Sequence, residues 1–199
     1  MKVLLAILIF VLAVLGTGLA LIYSGVYNIA ATGEHHPLVT WVLDTTMVHS
    51  VRQRAGEFQV PDLNAPERLR VGFQHFQKTC VMCHGAPGVA RGVVGEGLLP
   101  RPPALNHAAR EWSPTELFWI LKHGIRLSGM PAFGSRHDED TLWSLVAFVN
   151  ELPNITADEY RELQQRAGER DALHNHRHAP RRFRIPAGTD VSRIAARLP

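Results

Sequence analysis

Cys80-Val81-Met82-Cys83-His84 is the stretch on which the reading of this 199-residue chain turns. C-x-x-C-H is an attachment pattern for c-type haem: two thiols add across the porphyrin vinyl groups, and the adjacent imidazole supplies one axial ligand to iron. The spacing follows from the chemistry. A shorter gap does not reach both vinyls, and the His has to follow at once to stand under the metal. Other uses of the motif fare worse. A disulfide between the two thiols leaves the neighbouring His without a role. A thioredoxin-like pair needs a strand before it and a parallel-sheet pattern around it, and the sequence has neither. Structural zinc needs a second pair of ligands at similar spacing, whereas the chain has only 2 Cys. Two cysteines also limit the chain to one covalent haem.

Upstream of the motif, Pro61 to Pro66 is punctuation, with Asn64 expected to cap the next helix and Pro66 in its first turn. Leu69, Gly72, Phe73, Phe76 and Cys80 then recur at three- and four-residue spacing, which sets Gly72, Phe76 and Cys80 in one line down a helix face. The small Gly72 lets another helix cross closely there.

Downstream, Gly85 to Asn106 is rich in Gly and Pro without a sustained period, and reads as a long loop wrapped around the porphyrin edge. Ser113-Pro114-Thr115-Glu116 is a capping box that opens a helix through Leu117 to Leu121, stopped by Gly124. An extended loop, Ile125 to Phe133, carries Gly129-Met130-Pro131-Ala132-Phe133. Asp138 opens a further helix with the stripe Leu142, Leu145, Val146, Val149 and Leu152, widened by Trp143 and Phe148 and ended by Pro153. Thr156 to Glu159 is a second capping box, starting a more polar helix expected to fade near Gly168 or Leu173.

Farther out, Val3 to Tyr23 is an almost unbroken apolar run behind Lys2, long enough at about 1.5 Å per residue to cross a hydrocarbon core. Two readings stay open. Gly18-Leu19-Ala20 could serve as a signal-cleavage site. The favoured alternative is a retained anchor, because the run stays apolar past that site and ends in Tyr23 and Tyr27, which suit the membrane interface. Either one exports the remainder of the chain. A helix is expected from about Pro37 to Ala55, with Leu38, Trp41, Val42, Thr45 and Val48 at helical spacing, packing on membrane or partner. His35 and His36 are adjacent and diverge on any helix, which argues against a metal site with His49.

The formal charge of +3 is unevenly spread: from Arg170 onward seven Arg face two Asp, so that end carries +5 and the rest −2. Nucleic-acid binding is not supported, because the basic residues occupy a Pro-containing, aromatic-poor tail rather than a patterned face. His174, His176 and His178 lie in that tail, which reads as solvated or partner-docking, with metal binding as the alternative.

The region from about Asn64 to Pro153 resembles a class I mono-haem cytochrome c domain of the membrane-anchored bacterial type. The likeness rests on three linked pieces: the Gly72-x3-Phe76-x3-Cys80 helix with Cys80 to Gly85, the Pro103-Ala104-Leu105 segment, and Met130-Pro131 before a terminal helix. The preamble from Tyr27 to Ala55 is also similar to that of membrane-tethered cytochromes of this class. The resemblance implies an all-α cytochrome c fold, a small helical domain wrapped around one covalent haem c, behind an N-terminal transmembrane helix. It implies His84 as proximal and Met130 as distal iron ligand, the Pro103 carbonyl as acceptor for the free ring N–H of His84, and Leu105 and Phe133 against the haem faces. It also places Trp143 and Val146 opposite Gly72 and Phe76. Met130 has independent support: a thioether is a soft ligand, and Met1, Met47 and Met82 lie in unsuitable places. His107 and His123 are the rival distal ligands, and a helix C-terminus accounts for His123 by itself.

The expected organisation is an anchor or uncleaved signal at 1–25, a connector with an interfacial helix at 26–60, the cytochrome c domain at 61–155, and a polar helix with a His/Arg-rich tail at 156–199. With both axial positions filled by protein, no site remains for substrate, so the expected role is electron carriage rather than catalysis. Implied partners are membrane-bound: a quinol-oxidising complex or dehydrogenase as donor and an oxidase or reductase as acceptor, in a respiratory chain. The chain would serve them as a shuttle or as a complex subunit. The implied location is the inner (cytoplasmic) membrane, single-pass, with the haem domain in the periplasm. The competing class is a haem-based sensor or peroxidase-like protein with a labile distal ligand.

Overall fold

The computed structural model describes residues 1–177, with side chains to residue 168. Among the described residues helices are the only extended regular structure, and a lone bridge pairs Ala86 with Val89. The architecture is all-α, as expected. Helix α1 (Lys2–Ser24) stands free of the rest, every side chain exposed, and its 23 residues give a length of about 35 Å. It is long and apolar enough to cross a membrane. Gly25, in the left-handed conformation with φ 68°, ends it.

Helix α2 (Pro37–Arg54) carries Pro37 in its first turn, and His36 Nδ1 accepts from the Leu38 N–H at 3.3 Å. Its second half belongs to the packed domain: Val51 and Ala55 are buried, and Phe58 beyond them meets Phe118 edge-on at 4.8 Å.

The core is built on α3 (Pro66–Thr79) and α8 (Glu139–Glu151). Asn64 does not cap α3. Ala65 occupies that position without a side-chain bond, while Asp62 accepts from the Asn64 N–H at 2.9 Å and turns the chain beforehand. The line Gly72, Phe76, Cys80 faces inward, with all three buried. At Gly72 the helices touch backbone to backbone: a Cβ there would lie 2.7 Å from the Ser144 carbonyl carbon and 2.8 Å from Phe148 Cβ. Phe73 and Phe76 set their rings against Phe148 at 5.3 and 5.2 Å. Trp143, expected opposite Gly72, instead stacks on Phe118 of α7 (Pro114–His123) at 4.1 Å and 14°. Ser144 and Phe148, one turn apart, face α3, so Trp143 on the adjacent arc turns to α7.

Both capping boxes form. Ser113 and Glu116 exchange bonds at 2.7 and 3.4 Å, and Thr156 and Glu159 at 2.8 and 3.3 Å. Helix α9 (Ala157–Arg177) continues past its expected end. Its Tyr160 is fully buried against Phe73 and Phe76, so the core extends beyond Pro153. The side chains of His174 and His176, His178, and the basic tail to Pro199 lie outside the described residues. Gly85 to Asn106, read as loop throughout, contains one five-residue helix, α5 (Val93–Gly97), and leads into α6 (Leu105–Ala108). Elements this short have no apolar period to read.

Replacing Gly72 with Ala is expected to lower stability by about 3 kcal/mol, because neither helix backbone can yield to the methyl. Gly56→Ala, in open space, is the control and should change the stability read from urea unfolding by less than about 0.5 kcal/mol.

Candidate haem site

Cys80 closes α3: its N–H donates to the Phe76 carbonyl at 2.9 Å, and Val81–His84 form one further helical turn, α4. Both thiols are free, Cys80 buried and Cys83 half-buried. Burial pushes the Cys80 thiol up to about 11, with the Thr79 hydroxyl pulling the other way. Gly85, at φ 68°, then turns the chain away from the motif.

His84 Nδ1 lies 2.7 Å from the Pro103 carbonyl oxygen. A carbonyl only accepts, so Nδ1 carries the proton and Nε2 keeps its lone pair. Burial holds the imidazole below its ordinary value despite that bond, and Arg91 adds to the depression. The ring is therefore neutral, as a metal ligand must be.

Two glycines that the sequence reading did not single out hold the motif from outside. Gly92 donates its N–H to the Met82 carbonyl at 3.0 Å, and a Cβ on Gly95 would lie 2.8 Å from Cys83 Cα. Helix α5 is thus laid directly on the backbone of α4. The signal available in advance was the cluster Gly92, Gly95 and Gly97, since glycine marks close backbone approach.

The loop bearing Met130 is closed by its own polar groups. The Met130 N–H donates to Ser128 Oγ at 3.1 Å, Ser128 Oγ donates to the Ile125 carbonyl at 2.8 Å, and the Ile125 N–H donates to the Met130 carbonyl at 3.2 Å. Gly124, at φ 66°, lets it fold back, because a Cβ there would stand 2.7 Å from the Met130 carbonyl. Gly129 abuts Leu98, which joins this loop to the end of α5. Leu105, Met130 and Phe133 are partly buried and pack on the same apolar cluster that contains Cys80.

A cavity of about 660 Å³, in the range that accepts cofactor-sized molecules, is lined by His84, Arg91, Arg101, Ala104, Leu105 and His107, among others. Cys80, Cys83, Met130 and Phe133 are not among its lining residues. The residues present fit haem c: two free thiols in the C-x-x-C-H arrangement, a neutral imidazole with one nitrogen available, a thioether on an ordered loop, and apolar side chains packed with Cys80. Among the described residues no group of three or more His, Cys, Asp or Glu is placed to hold a metal ion. His123 is exposed, its ring 4.9 Å from Trp119.

Beyond Met130, Phe133 meets His137 at 5.6 Å, and His137 meets His75 of α3 at 5.5 Å. His137 Nδ1 donates to the Phe133 carbonyl at 3.2 Å. This pair ties the segment after Met130 to the helix that delivers the cysteines.

The family described as cytochrome C oxidase, cbb3-type, subunit III matches residues 67–149. The chain is also 31% identical over 133 residues to the quinohemoprotein alcohol dehydrogenase of Comamonas testosteroni, over 64% of this chain and 18% of that protein. It therefore spans less than a fifth of the curated relative it matches. Residues 67–149 form a cytochrome c domain, a kind of module that implies haem binding and electron transfer.

Burial, His137 and Lys78 hold His75 below its ordinary value of 6.5, and Asp138 pulls the other way. As pH falls, the unfolded chain takes up a proton at His75 before the folded one, so this site removes stability as pH drops below about 6.5. Urea midpoints between pH 7 and pH 5 should fall less steeply in His75→Gln than in the parent.

Proposed function

We propose that this cytochrome c domain is a membrane-tethered carrier of single electrons, with one covalent haem ligated by His84 and Met130. The observation that carries the proposal is the His84–Pro103 bond at 2.7 Å. It fixes the tautomer and leaves Nε2, away from the carbonyl, as the nitrogen free for iron, while burial keeps the ring neutral. Cys80 and Cys83 would hold the porphyrin by thioether bonds.

When bound, haem c supplies a one-electron couple whose potential depends on its axial ligands and on burial. The chain's own residues then have separate tasks. His84 would offer the lone pair of Nε2 to the iron, with the proton held at Nδ1 by the Pro103 carbonyl. Met130 offers a soft sulfur that favours the reduced state and raises the potential relative to a second His. Leu105 and Phe133 exclude water, which strengthens the electrostatic influence of the ligands. Two protein ligands leave no position for substrate, so the domain acts with partners rather than on a substrate.

Helix α1 is proposed to remain as a single-pass anchor in the inner membrane, within residues 1–25, with the haem domain, residues 61–155, on the periplasmic side. Residues 26–60 link the two, and residues 156–199 are assigned as a polar helix with a basic tail. Confinement to a surface raises the effective concentration near membrane-bound partners. The partners proposed are a quinol-oxidising complex or dehydrogenase as donor and an oxidase or reductase as acceptor, met as a shuttle or as a fellow subunit. The likeness to a dehydrogenase supports the class of partner.

Absorption spectroscopy tests the ligand set. The ferric protein should be low-spin with a sulfur-to-iron charge-transfer band, and the ferrous form should bind carbon monoxide poorly. Met130→Ala should abolish the band, lower the potential and admit carbon monoxide readily. High-spin iron with rapid ligand binding in the parent would assign the domain to the sensor or peroxidase-like class instead, and an unchanged spectrum in Met130→Ala would remove Met130 from the ligand set.

A further inference from the structure

Helix α2 carries apolar residues on two opposite sides, displaced along its length. At about 100° per residue, Leu43, Met47, Val51 and Ala55 drift slowly along one side, whereas Leu38, Val42 and Trp41 cluster on the other. The first set is held by the domain: Leu43 and Met47 are half-buried, and Val51 and Ala55 are 1% and 2% exposed. The second set is bare, at 62% for Leu38, 46% for Val42 and 64% for Trp41. No contact among the described residues covers it, and it lies at the end of α2 next to α1.

We infer that this outer face seats in the headgroup–acyl boundary of a phospholipid bilayer, and that α2 is a rigid strut fixing the orientation of the haem domain on that surface. The inference rests on the proposed tether. Three features favour lipid over a protein partner. Residues 25–36 reach at most about 40 Å when extended, so the first turn of α2 stays near the membrane that α1 crosses. From Val3 to Leu43 the only Asp, Glu, Lys or Arg is Glu34, so desolvating charge is a small obstacle. Val26, Tyr27 and Ile29 between the two helices are themselves 77%, 68% and 90% exposed, which extends the bare apolar surface beyond the end of α1. Trp41 and Tyr27 are the residue types that settle at the interface.

The consequence is geometric. A flexible tether would let the domain tumble, but α2 shares its core through Val51 and Ala55, so seating one end orients the other. The same face of the domain is then always turned toward the membrane.

Nitroxide labels on the full-length, haem-loaded protein in phospholipid nanodiscs test this, with the unsubstituted protein as background for any label at Cys80 or Cys83. Leu38→Cys and Val42→Cys should show a ratio of collisions with oxygen to collisions with an aqueous nickel chelate several-fold above that of Gln53→Cys, at the exposed far end of α2. Val14→Cys reports on α1. Aqueous ratios at positions 38 and 42 with a lipid-buried position 14 overturn the strut and leave the tether standing. An aqueous position 14 overturns the tether and the strut together. Spin–spin broadening between protein molecules at position 42 assigns the face to a second copy, and also overturns the inference.

Discussion

The close approach of α3 and α8 at Gly72 governs the rest of the domain. Two helices that meet backbone to backbone have little freedom in how they cross, since any side chain larger than hydrogen at that point would drive them apart. With the crossing set, Phe73 and Phe76 fall on either side of Phe148, and Tyr160 closes over them from α9. Cys80 ends α3 with its N–H on the Phe76 carbonyl, so the attachment motif leaves the crossed pair in a fixed direction.

The site around that motif is held mainly by backbone. Met82 and Cys83 are braced by Gly92 and Gly95, His84 by the Pro103 carbonyl, and the Met130 loop by Gly124 and the bonds around Ser128. Backbone contacts of this kind leave the functional side chains free for the cofactor. They also suit a proposed electron carrier, in which ligand atoms should move little between the two oxidation states. The exposed ion pairs, such as Lys122–Glu139 at 2.7 Å, contribute little beside this framework.

The sequence reading anticipated the parts that local rules control. Helical period placed α2, α3 and α8, side-chain caps placed Ser113, Asp138 and Thr156, and glycine at a helix end placed the stop of α7 at Gly124. It also named the Pro103 carbonyl as partner of His84, although that pairing came through resemblance, since nothing local links positions 84 and 103. What it misplaced had no local signature: Asn64 falls one residue short of the cap position, which Ala65 takes after the turn at Asp62, and Trp143 turns toward Phe118 because Ser144 and Phe148 already face α3.

By itself, the sequence determined the helical class, the apolar N-terminal helix and the haem-binding motif. Each depends on residues a few positions apart, whose spacing is legible along the chain. The tertiary structure alone decided that α2 and α9 join the core, that α5 lies on the motif, and that His75 and His137 meet beside Phe133. Those arrangements depend on which surfaces remain uncovered once α3 and α8 have crossed, and a one-dimensional pattern does not record that.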